Sequence, residues 1–486
     1  MKKKIINYKF VVCYLPEKSK YKSFINSILI LILIIFPLLS PFNFTEKINS
    51  ASGAKEQWHV YDFDVAIGTS NKLYTVYREN YQDIDRICFV ETISGFEWNK
   101  TIQIIKQEND TYKLFGKPTI TFENNRLLIV IAFQKNNYWG LEIFSRSYQG
   151  GAWGHQIIIN NVNNTVLNPI IRYYPNTMSI WLTWRDSHEG SYNQYFIKTN
   201  SSSIDWSNIT KLSEDNTLDC SDCDFIIDEN GTAHFVWSEG PTDFGKILYR
   251  SVYNNGTITS IEYITDGSTN CEDPALVIDS SNLINVFWTN RTVIDPEEFL
   301  GTIFIHSSIR LTNNTWSKPL EVAPYIPTER PASGESDGLK PGVAFDTHNQ
   351  LWLAYEIIEE YAYHVGVDIR YRIGNSWQPC IYLSLYSNRA YDPLLLVDNY
   401  GNLHCFWIDS RHITMEVYHR IKYENNVWSE EILVTGGSTF FGTDAFIIII
   451  VVIGGAVLLS IPVMILRRLR QRREKRKVLD TIRGLR

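Results

Sequence analysis

The fold is decided by a segment that the chain repeats: DPALVIDSSNLINVFW (273–288), KPGVAFDTHNQLWLAY (340–355), DPLLLVDNYGNLHCFW (392–407) and CDFIIDENGTAHFVW (223–237). In each copy an apolar run ends at an Asp, a short polar turn follows, and an alternating strand ends at an aromatic residue. The aromatic residue lies nine positions after the Asp in all four copies, which places these acids at Asp228, Asp279, Asp346 and Asp398. The pattern predicts half-buried β-strands joined by tight turns.

Weaker copies extend the repeat towards the N-terminus. The seven copies start near residues 62, 118, 169, 223, 274, 341 and 393, and most continue with a third strand and a fourth strand that opens on Trp. Four-stranded units at a period of about 50 residues, with no helix between them, are typical of a β-propeller. We therefore predict an all-β, seven-bladed propeller over residues 55–437. Six blades are the alternative if the first unit is irregular, and residues 57–61 are predicted to complete the last sheet.

The charge of the chain is distributed unevenly. Residues 1–50 carry a net +6 and residues 467–486 a net +8, so the −7 of the whole chain leaves −21 on residues 51–466. An acidic central part argues against nucleic-acid binding, which needs a basic face. It suits a globular part held outside a membrane.

Residues 445–466 form a run of 22 residues without a charge, and an Arg-rich tail (467–486) follows at once. Such a run is long enough to cross a bilayer, and basic residues stay on the cytoplasmic side. We predict a single transmembrane helix with the propeller outside the cell and a tail that contacts membrane lipid. The apolar stretch within residues 1–51 predicts a signal peptide, or alternatively an uncleaved signal anchor that would give two spans.

The strand pattern and the Trp that opens the fourth strand resemble the sialidase-like, BNR-repeat propellers of microbial cell surfaces. That family carries an Asp-box, Ser-x-Asp-x-Gly-x-x-Trp, before the fourth strand. Here the turns read SGFEW (94–98), SIDW (203–206) and GNSW (374–377), so the Trp is present while the full box is not. A sialidase also needs three arginines, a Tyr–Glu pair and an acidic Asp, and we find no intact catalytic motif of this kind. The resemblance thus implies a propeller, and fold alone does not give function.

In a propeller the start of strand one and the end of strand two lie on the same face. Polar residues at these positions therefore make up the predicted binding face. They are Asn168, Asp222, Asp273, Lys340 and Asp392 before strand one, and Asp186, Glu239, Asn290, Asp409 and Arg411 after strand two. These carboxylates suit either sugar hydroxyls or Ca²⁺, which prefers oxygen ligands. The alternative is that they only cap turns and meet water.

The longest loops belong to the same face in the fifth and sixth units. They carry further candidate binding residues, since long loops on a rigid scaffold often make recognition sites. These candidates are Arg330, Glu335, Asp337, Tyr363 and His364.

Six cysteines lie in the part predicted to be exported, where disulfides form readily. Cys220 and Cys271 occupy equivalent places in neighbouring units. We predict a disulfide between them, or alternatively between Cys223 and Cys271.

These features predict a membrane-anchored cell-surface propeller that binds an extracellular glycan, an envelope component or a protein. The alternatives are a carbohydrate-active enzyme, either a glycosidase or a lyase, and a purely structural envelope protein. Paired carboxylates in a deep pocket would favour the enzyme, and a shallow mouth lined by aromatic residues would favour the binder. The sequence predicts no catalytic residue and no cofactor other than Ca²⁺.

Overall fold

A computed structural model describes residues 58–435 apart from short gaps, at 94–96, 108–110, 163–164, 188–189, 215–217, 242–244, 296–299, 324–325, 329–339, 359–364, 385–389 and 412–413. The chain divides into two units, residues 1–57 and residues 58–486, and all described residues belong to the second. The predicted signal segment, transmembrane helix and basic tail lie outside the described residues. Among the residues that are described, no helix is long and apolar enough to span a bilayer.

The described residues form thirty strands in seven sheets. The first three sheets contain β1 (His59–Ile67), β2 (Leu73–Tyr81), β3 (Ile84–Glu91) and β4 (Ile102–Lys106); β5 (Tyr112–Glu123), β6 (Arg126–Lys135), β7 (Tyr138–Ser147) and β8 (Gly154–Val162); and β9 (Val166–Tyr174), β10 (Ser179–Asp186), β11 (Asn193–Asn200) and β12 (Thr210–Lys211). The fourth and fifth contain β13 (Cys220–Ile227), β14 (Ala233–Glu239), β15 (Lys246–Val252) and β16 (Glu262–Tyr263); and β17 (Asn270–Ile278), β18 (Ile284–Asp295), β19 (Leu300–Ile309), β20 (Leu320–Glu321) and β21 (Ile326–Thr328). The last two contain β22 (Gly342–Phe345), β23 (Leu351–Ile358), β24 (Val365–Ile373), β25 (Ser376–Trp377) and β26 (Ile381–Tyr382); and β27 (Ala390–Val397), β28 (Leu403–Asp409), β29 (Glu416–Lys422) and β30 (Ile432–Leu433).

Each sheet is an antiparallel meander of four strands in chain order, and the short strands β21 and β26 pair in addition with β19 and β24. The first strands of all seven sheets line one common cavity, so they surround the axis of a propeller. The structure therefore confirms seven blades, and every predicted start lies in or beside a first strand. Two single-turn 3₁₀ helices, Thr69–Asn71 and Pro175–Thr177, connect the first and second strands of blades 1 and 3.

The aromatic residue that ends each repeat packs into the gap between blades. Trp237, Trp288, Tyr355 and Trp407 are all at most 1% exposed. Each belongs to a cluster that also contains side chains of the preceding blade, as Trp407 does with Trp352. Truncation of such a buried aromatic residue to Ala costs about 3–5 kcal/mol. These side chains explain why isolated sheets join into a ring.

The Asp that is shared by the four clearest repeats fixes the turn between the first and second strands. One carboxylate oxygen of each accepts the backbone N–H groups of the residues two and four positions later, at 2.8–3.0 Å. We call these four residues the turn aspartates: Asp228, Asp279, Asp346 and Asp398. The recurrent Asp thus lies in the turn after strand one, whereas the Asp-box of the BNR-repeat propellers precedes strand four.

A β-bulge interrupts the first strand at a matching place in five of the blades. The register of the first two strands shifts across Lys117, Asn168, Asp222, Asp273 and Asp392, whereas the shift in blade 1 lies one residue earlier and leaves Asp62 paired with Arg78. At Asn168, Asp273 and Asp392 the backbone has a φ of 51°, which Asn and Asp adopt more readily than other side chains. A Pro follows each of these three, and Pro has no N–H to offer the ladder. Bulges turn a side chain out of the regular alternation, here into the central cavity.

The ring closes without the predicted extra strand. Residues from His59 onward form the first strand of blade 1, so none of them is a member of the blade 7 sheet. Blade 7 is joined to this strand by a backbone hydrogen bond from Val60 N to Met415 O at 2.9 Å. The two blades also share a core that includes Phe63 and Phe406. Side-chain packing, rather than a shared sheet, therefore closes the propeller.

Candidate functional site

The axis of the propeller contains a cavity of about 720 Å³, within the size range of small-molecule sites. Each of the seven blades contributes one polar side chain to it from an equivalent place at the start of the first strand. We call these residues the central ring: Asp62, Lys117, Asn168, Asp222, Asp273, Lys340 and Asp392. Asp64, Arg172, Arg185 and Asp224 also line the cavity.

Three of the cavity carboxylates already accept hydrogen bonds from other groups of the protein. Asp62 accepts two hydrogen bonds from Arg78, at 3.0 and 2.7 Å. Asp64 accepts from the backbone N of Val65 and of Ile120 and from the Thr119 hydroxyl, and Asp224 accepts from the backbone N of Phe225 and of Leu276. Since Ile120 and Leu276 belong to the next blade in each case, Asp64 and Asp224 join neighbouring blades.

The other three carboxyl groups are available to a ligand. Within the described part of the chain, Asp222, Asp273 and Asp392 form no hydrogen bond and no ion pair. Asp273 is only 8% exposed, and Asp222 and Asp392 are half-buried. A buried carboxyl group without a partner is costly to ionise, so its pKa responds to its surroundings.

The pKa values of two of these groups are raised. Burial, together with the negative charges of Asp222 and Glu272, raises the pKa of Asp273 well above its ordinary value. Burial raises the pKa of Asp392 to about 6, although the ammonium group of Lys117 opposes the shift. The raised pKa favours the protonated form of Asp273, which belongs to the blade next to that of Asp222. A buried carboxyl group with a raised pKa in a cavity is a feature of acid–base sites.

Two lysines complete the ring. Burial and the like charge of Lys340 lower the pKa of Lys117. Burial also disfavours the charged form of Lys340, but the cavity carboxylates, led by Asp224 and Asp222, outweigh it and raise its pKa. The Lys117 ammonium group lies 5.6 Å from the centre of the Phe63 ring.

The predicted binding residues separate into three groups. Asp222, Asp273 and Asp392 line the cavity, as do Asn168 and Lys340. Asp186, Glu239 and Asp409 are at most 6% exposed and are not among the residues that line it. Arg411 forms ion pairs with Asp409 and Glu431, and these contacts stabilise blade 7. Arg330, Glu335, Asp337, Tyr363 and His364 lie outside the described residues.

Sequence reasoning missed several residues of the cavity. Lys117 precedes a Pro, as Asn168, Asp273, Lys340 and Asp392 do, so the alignment of the repeats contained a signal for it. Asp62 has Phe63 in place of the Pro, and no comparable signal marks it. Arg172 and Arg185 belong to β9 and β10, and their approach to the axis depends on the packing of blade 3.

The predicted disulfide is not formed. All three cysteines concerned, Cys220, Cys223 and Cys271, are buried free thiols. Cys220 and Cys223 pack with Trp181 of blade 3, whereas Cys271 packs with Trp288 of blade 5. Equivalent positions in neighbouring blades thus point into different gaps between blades, so adjacency in the repeat does not bring the sulfur atoms together.

The predicted Ca²⁺ site finds no support in the geometry of the cavity. Among the residues that the structure describes, no group of three or more His, Cys, Asp and Glu side chains is arranged to hold a metal ion. The ring explains this, because Lys117, Asn168 and Lys340 separate its acidic positions into smaller groups.

Comparison with known proteins identifies no family for this chain. No family model matches the chain, and no curated protein matches it either. Solved structures with a similar fold include a protein of unknown function from Dyadobacter fermentans (TM-score 0.43, 11% identity, 65% of this chain and 96% of that chain). Others are an α-L-arabinofuranosidase of Fusarium graminearum (0.41, 10%, 76% and 94%) and a polysaccharide lyase that acts on ulvan (0.45, 12%, 65% and 82%).

At such low identities and TM-scores these similarities carry no argument about fold or activity. The named structures include glycoside hydrolases and lyases rather than sialidases in particular. The seven sheets around one cavity confirm the propeller that the resemblance to the BNR-repeat family implies, and the assignment to the sialidase-like group is not confirmed.

Proposed function

We propose that this protein is a carbohydrate-active enzyme that cleaves glycosidic bonds in its central cavity, rather than only a glycan-binding propeller. The observation that carries the proposal is the set of unpartnered carboxyl groups at Asp222, Asp273 and Asp392 in a deep polar cavity. A surface built only for stability would pair these groups, as the protein does at Asp62, Asp64 and Asp224.

Cleavage of a glycosidic bond needs a carboxylic acid that protonates the leaving oxygen and a carboxylate that acts on the sugar or on water. Asp273 fits the first role because burial and nearby negative charge raise its pKa. Asp222, on the adjacent blade, fits the second. Asp392 lies in the same ring. Because its pKa is raised to about 6, its carboxyl group is ionised mainly above that pH.

We further propose that the propeller lies outside the cell and is held at the membrane by residues 445–466. The uncharged run of 22 residues and the Arg-rich tail behind it support this placement. An extracellular enzyme on a membrane anchor would act on envelope or environmental polysaccharides, which cannot enter the cell intact.

The test is a screen of the full-length protein for new reducing ends on a panel of polysaccharides. The panel would include arabinan, xylan, dextran and polygalacturonate. We expect cleavage of at least one member, loss of that cleavage in Asp222→Asn, and none of this loss in Glu229→Gln. Glu229 is an exposed acid in a turn of the same blade, so it controls for charge and handling. Equal activity of Asp222→Asn and the wild type would refute the assignment of the site, and an inactive wild type across the panel would refute the enzyme.

A further inference from the structure

The chain leaves the propeller at the face that carries the central ring. In blade 7, Ala390 at the start of β27 pairs with Asp409 at the end of β28. The backbone N of Val417, near the start of β29, donates to the hydroxyl of Thr435, which follows β30, at 2.9 Å. These strand ends therefore share one edge of the sheet, and Asp392 of the central ring follows Ala390 by two residues. We call the corresponding face of the propeller the ring face.

The chain also enters the propeller at the ring face. His59 at the start of β1 pairs with Asn80, near the end of β2. The backbone N of Val60 donates to the backbone O of Met415, just before the start of β29, at 2.9 Å. The described chain thus begins and ends at one face, so either of the predicted membrane segments joins the propeller there.

The connection from the propeller to the predicted span is short. Nine residues, 436–444, separate Thr435 from the uncharged run at 445–466. Whatever their conformation, nine residues span at most about 32 Å, and the polar layer of a bilayer takes up about 5–8 Å of this distance. The gap between the bilayer and Thr435 is therefore at most about 25 Å. Because β28, with seven residues, is itself about 23 Å long, turning the opposite face to the bilayer would need an almost fully extended connection.

The polar end of the central cavity lies at the same face. The central ring occupies the starts of the first strands, whereas Ile67, Phe122 and Leu396, near the ends of their strands, line the cavity farther along the axis. Every ring residue except Asp273 is half-buried rather than buried, so a ligand can reach the ring. The candidate acids are therefore approached from the face at which the chain leaves the propeller.

We propose that the ring face lies towards the bilayer that anchors the chain, and that the glycan of the central cavity is linked to a lipid of that same membrane. A lipid-linked glycan is already in the gap below the ring face, and the short connection raises its effective concentration at the cavity. A polysaccharide in the medium has to enter the gap first. This inference rests on the proposed anchor and the proposed cleavage, and it adds the source of the glycan.

The first test measures the orientation of the full-length protein in phosphatidylcholine vesicles. Cys13→Ser and Cys380→Ser leave only buried cysteines. Ser268→Cys or Ser281→Cys then places a donor dye at an exposed position before or after β17, at the ring face or at the opposite face. Because the two positions lie about 30 Å apart, energy transfer to an acceptor on lipid headgroups should be at least about twofold greater from position 268. Equal transfer, greater transfer from position 281, or protein recovered apart from the vesicles would overturn the inference.

The second test asks which membrane supplies the glycan. Arabino- and xylo-oligosaccharides coupled to phosphatidylethanolamine are placed either in the vesicles that carry the protein or in separate vesicles. We expect cleavage about tenfold or more faster in the first arrangement, because the connection confines the cavity to its own membrane. About 30 Gly/Ser residues inserted after Gly437 lengthen the reach and should raise the rate on separate vesicles, whereas the same insertion after Arg473, in the predicted cytoplasmic tail, should not.

Equal rates in the two arrangements would overturn the inference. The two tests also separate this inference from the proposed function. Absence of cleavage together with greater energy transfer from position 268 refutes the enzyme and supports the placement of the ring face. Cleavage together with equal energy transfer from the two positions does the opposite.

Discussion

In three blades the first strand and the turn after it carry two acidic positions six residues apart, and the two positions have opposite environments. Asp222 and Asp228, Asp273 and Asp279, and Asp392 and Asp398 are such pairs. At the second position the turn aspartates bind two backbone N–H groups each, and at the first position the ring aspartates bind none within the described residues. Residue type and repeat are the same, so only the environment differs.

This difference separates structural acids from candidate functional ones. Two hydrogen bonds from backbone N–H groups stabilise both the ionised form of a carboxyl group and the turn that contains it. A buried carboxyl group without a partner lowers stability, and such groups persist mainly where a ligand or a reaction uses them. The comparison suggests that the Asp that defines the repeat serves folding, and that the Asp before it serves function.

The largest effect expected from this comparison concerns activity. Asp273→Asn should lower the rate of glycan cleavage by about 10²–10⁴-fold, because the amide cannot donate the proton of a general acid. Asp279→Asn, six residues away, should stay within about twofold of the wild type. Initial rates of both variants on the substrate found in the screen test this contrast, and similar losses in the two variants would contradict it.

The next effect concerns stability at the turn. Asp398→Ala should lower the free energy of unfolding by about 2–4 kcal/mol. Its carboxylate accepts the amides of Tyr400 and Asn402, the Asn402 side chain at 2.9 Å and a nitrogen of His404 at 3.2 Å. Urea unfolding at pH 7 measures the change. Asp392→Ala should lower the free energy of unfolding far less. An equal loss in both variants would contradict the distinction between turn aspartates and ring aspartates.

A third effect is the pH dependence of the free energy of unfolding that Asp392 of the central ring causes. The pKa of Asp392 is about 6 in the folded protein against an ordinary value of 3.8, so the folded state holds this proton more tightly than the unfolded state. The contribution of Asp392 to stability is therefore complete below about pH 4 and is lost as pH rises through 6. Asp392→Asn should match the wild type at pH 4 and exceed it by roughly 1–3 kcal/mol at pH 8. Unfolding in urea at both pH values checks this, and a constant difference would show that burial does not strain this carboxylate.

The smallest effect shows whether the turn depends on the charge of its Asp or only on its hydrogen-bond acceptor. In the wild type the Asp279 carboxylate accepts the backbone N–H groups of Ser281 and Leu283 at 2.8 Å each, and Asp279→Asn keeps one side-chain oxygen that can accept both. We expect a loss of only about 0.5–1 kcal/mol, since a neutral acceptor forms weaker hydrogen bonds than a carboxylate. A loss above about 2 kcal/mol in thermal or urea unfolding would mean that the charge itself holds the turn.

The repeat predicted the fold because every blade must bury the same faces. The positions of strands and turns follow from the alternation of side chains and from the Asp that fixes each turn, and both are visible in the sequence. The number of blades follows from counting the copies, including weak ones such as the copy at Lys117, where Glu123 takes the place of the turn aspartate. Closure of the ring was not predictable, because it depends on packing between Phe63 and Phe406 rather than on a pattern.

The site was predicted only in part, for two physical reasons. The alignment of the repeats marks the position that a bulge turns towards the axis, and it found Asp222, Asp273 and Asp392; a Pro follows Asp273 and Asp392 there, and Cys223 follows Asp222. The ends of the second strands offered no such signal, and Asp186 and Asp409 turned out to be buried away from the cavity lining. Which side of a strand a polar residue faces depends on register, and a single register step exchanges the two faces.

The most direct test of the account is to see where a glycan binds. A crystal structure of the Asp273→Asn variant with an oligosaccharide from the screen would locate it. We predict density in the central cavity, with sugar oxygens within hydrogen-bonding distance of Asp222 and Lys340. A glycan seated on the opposite face, among the turns that the turn aspartates hold, would contradict the assignment of function to the central ring.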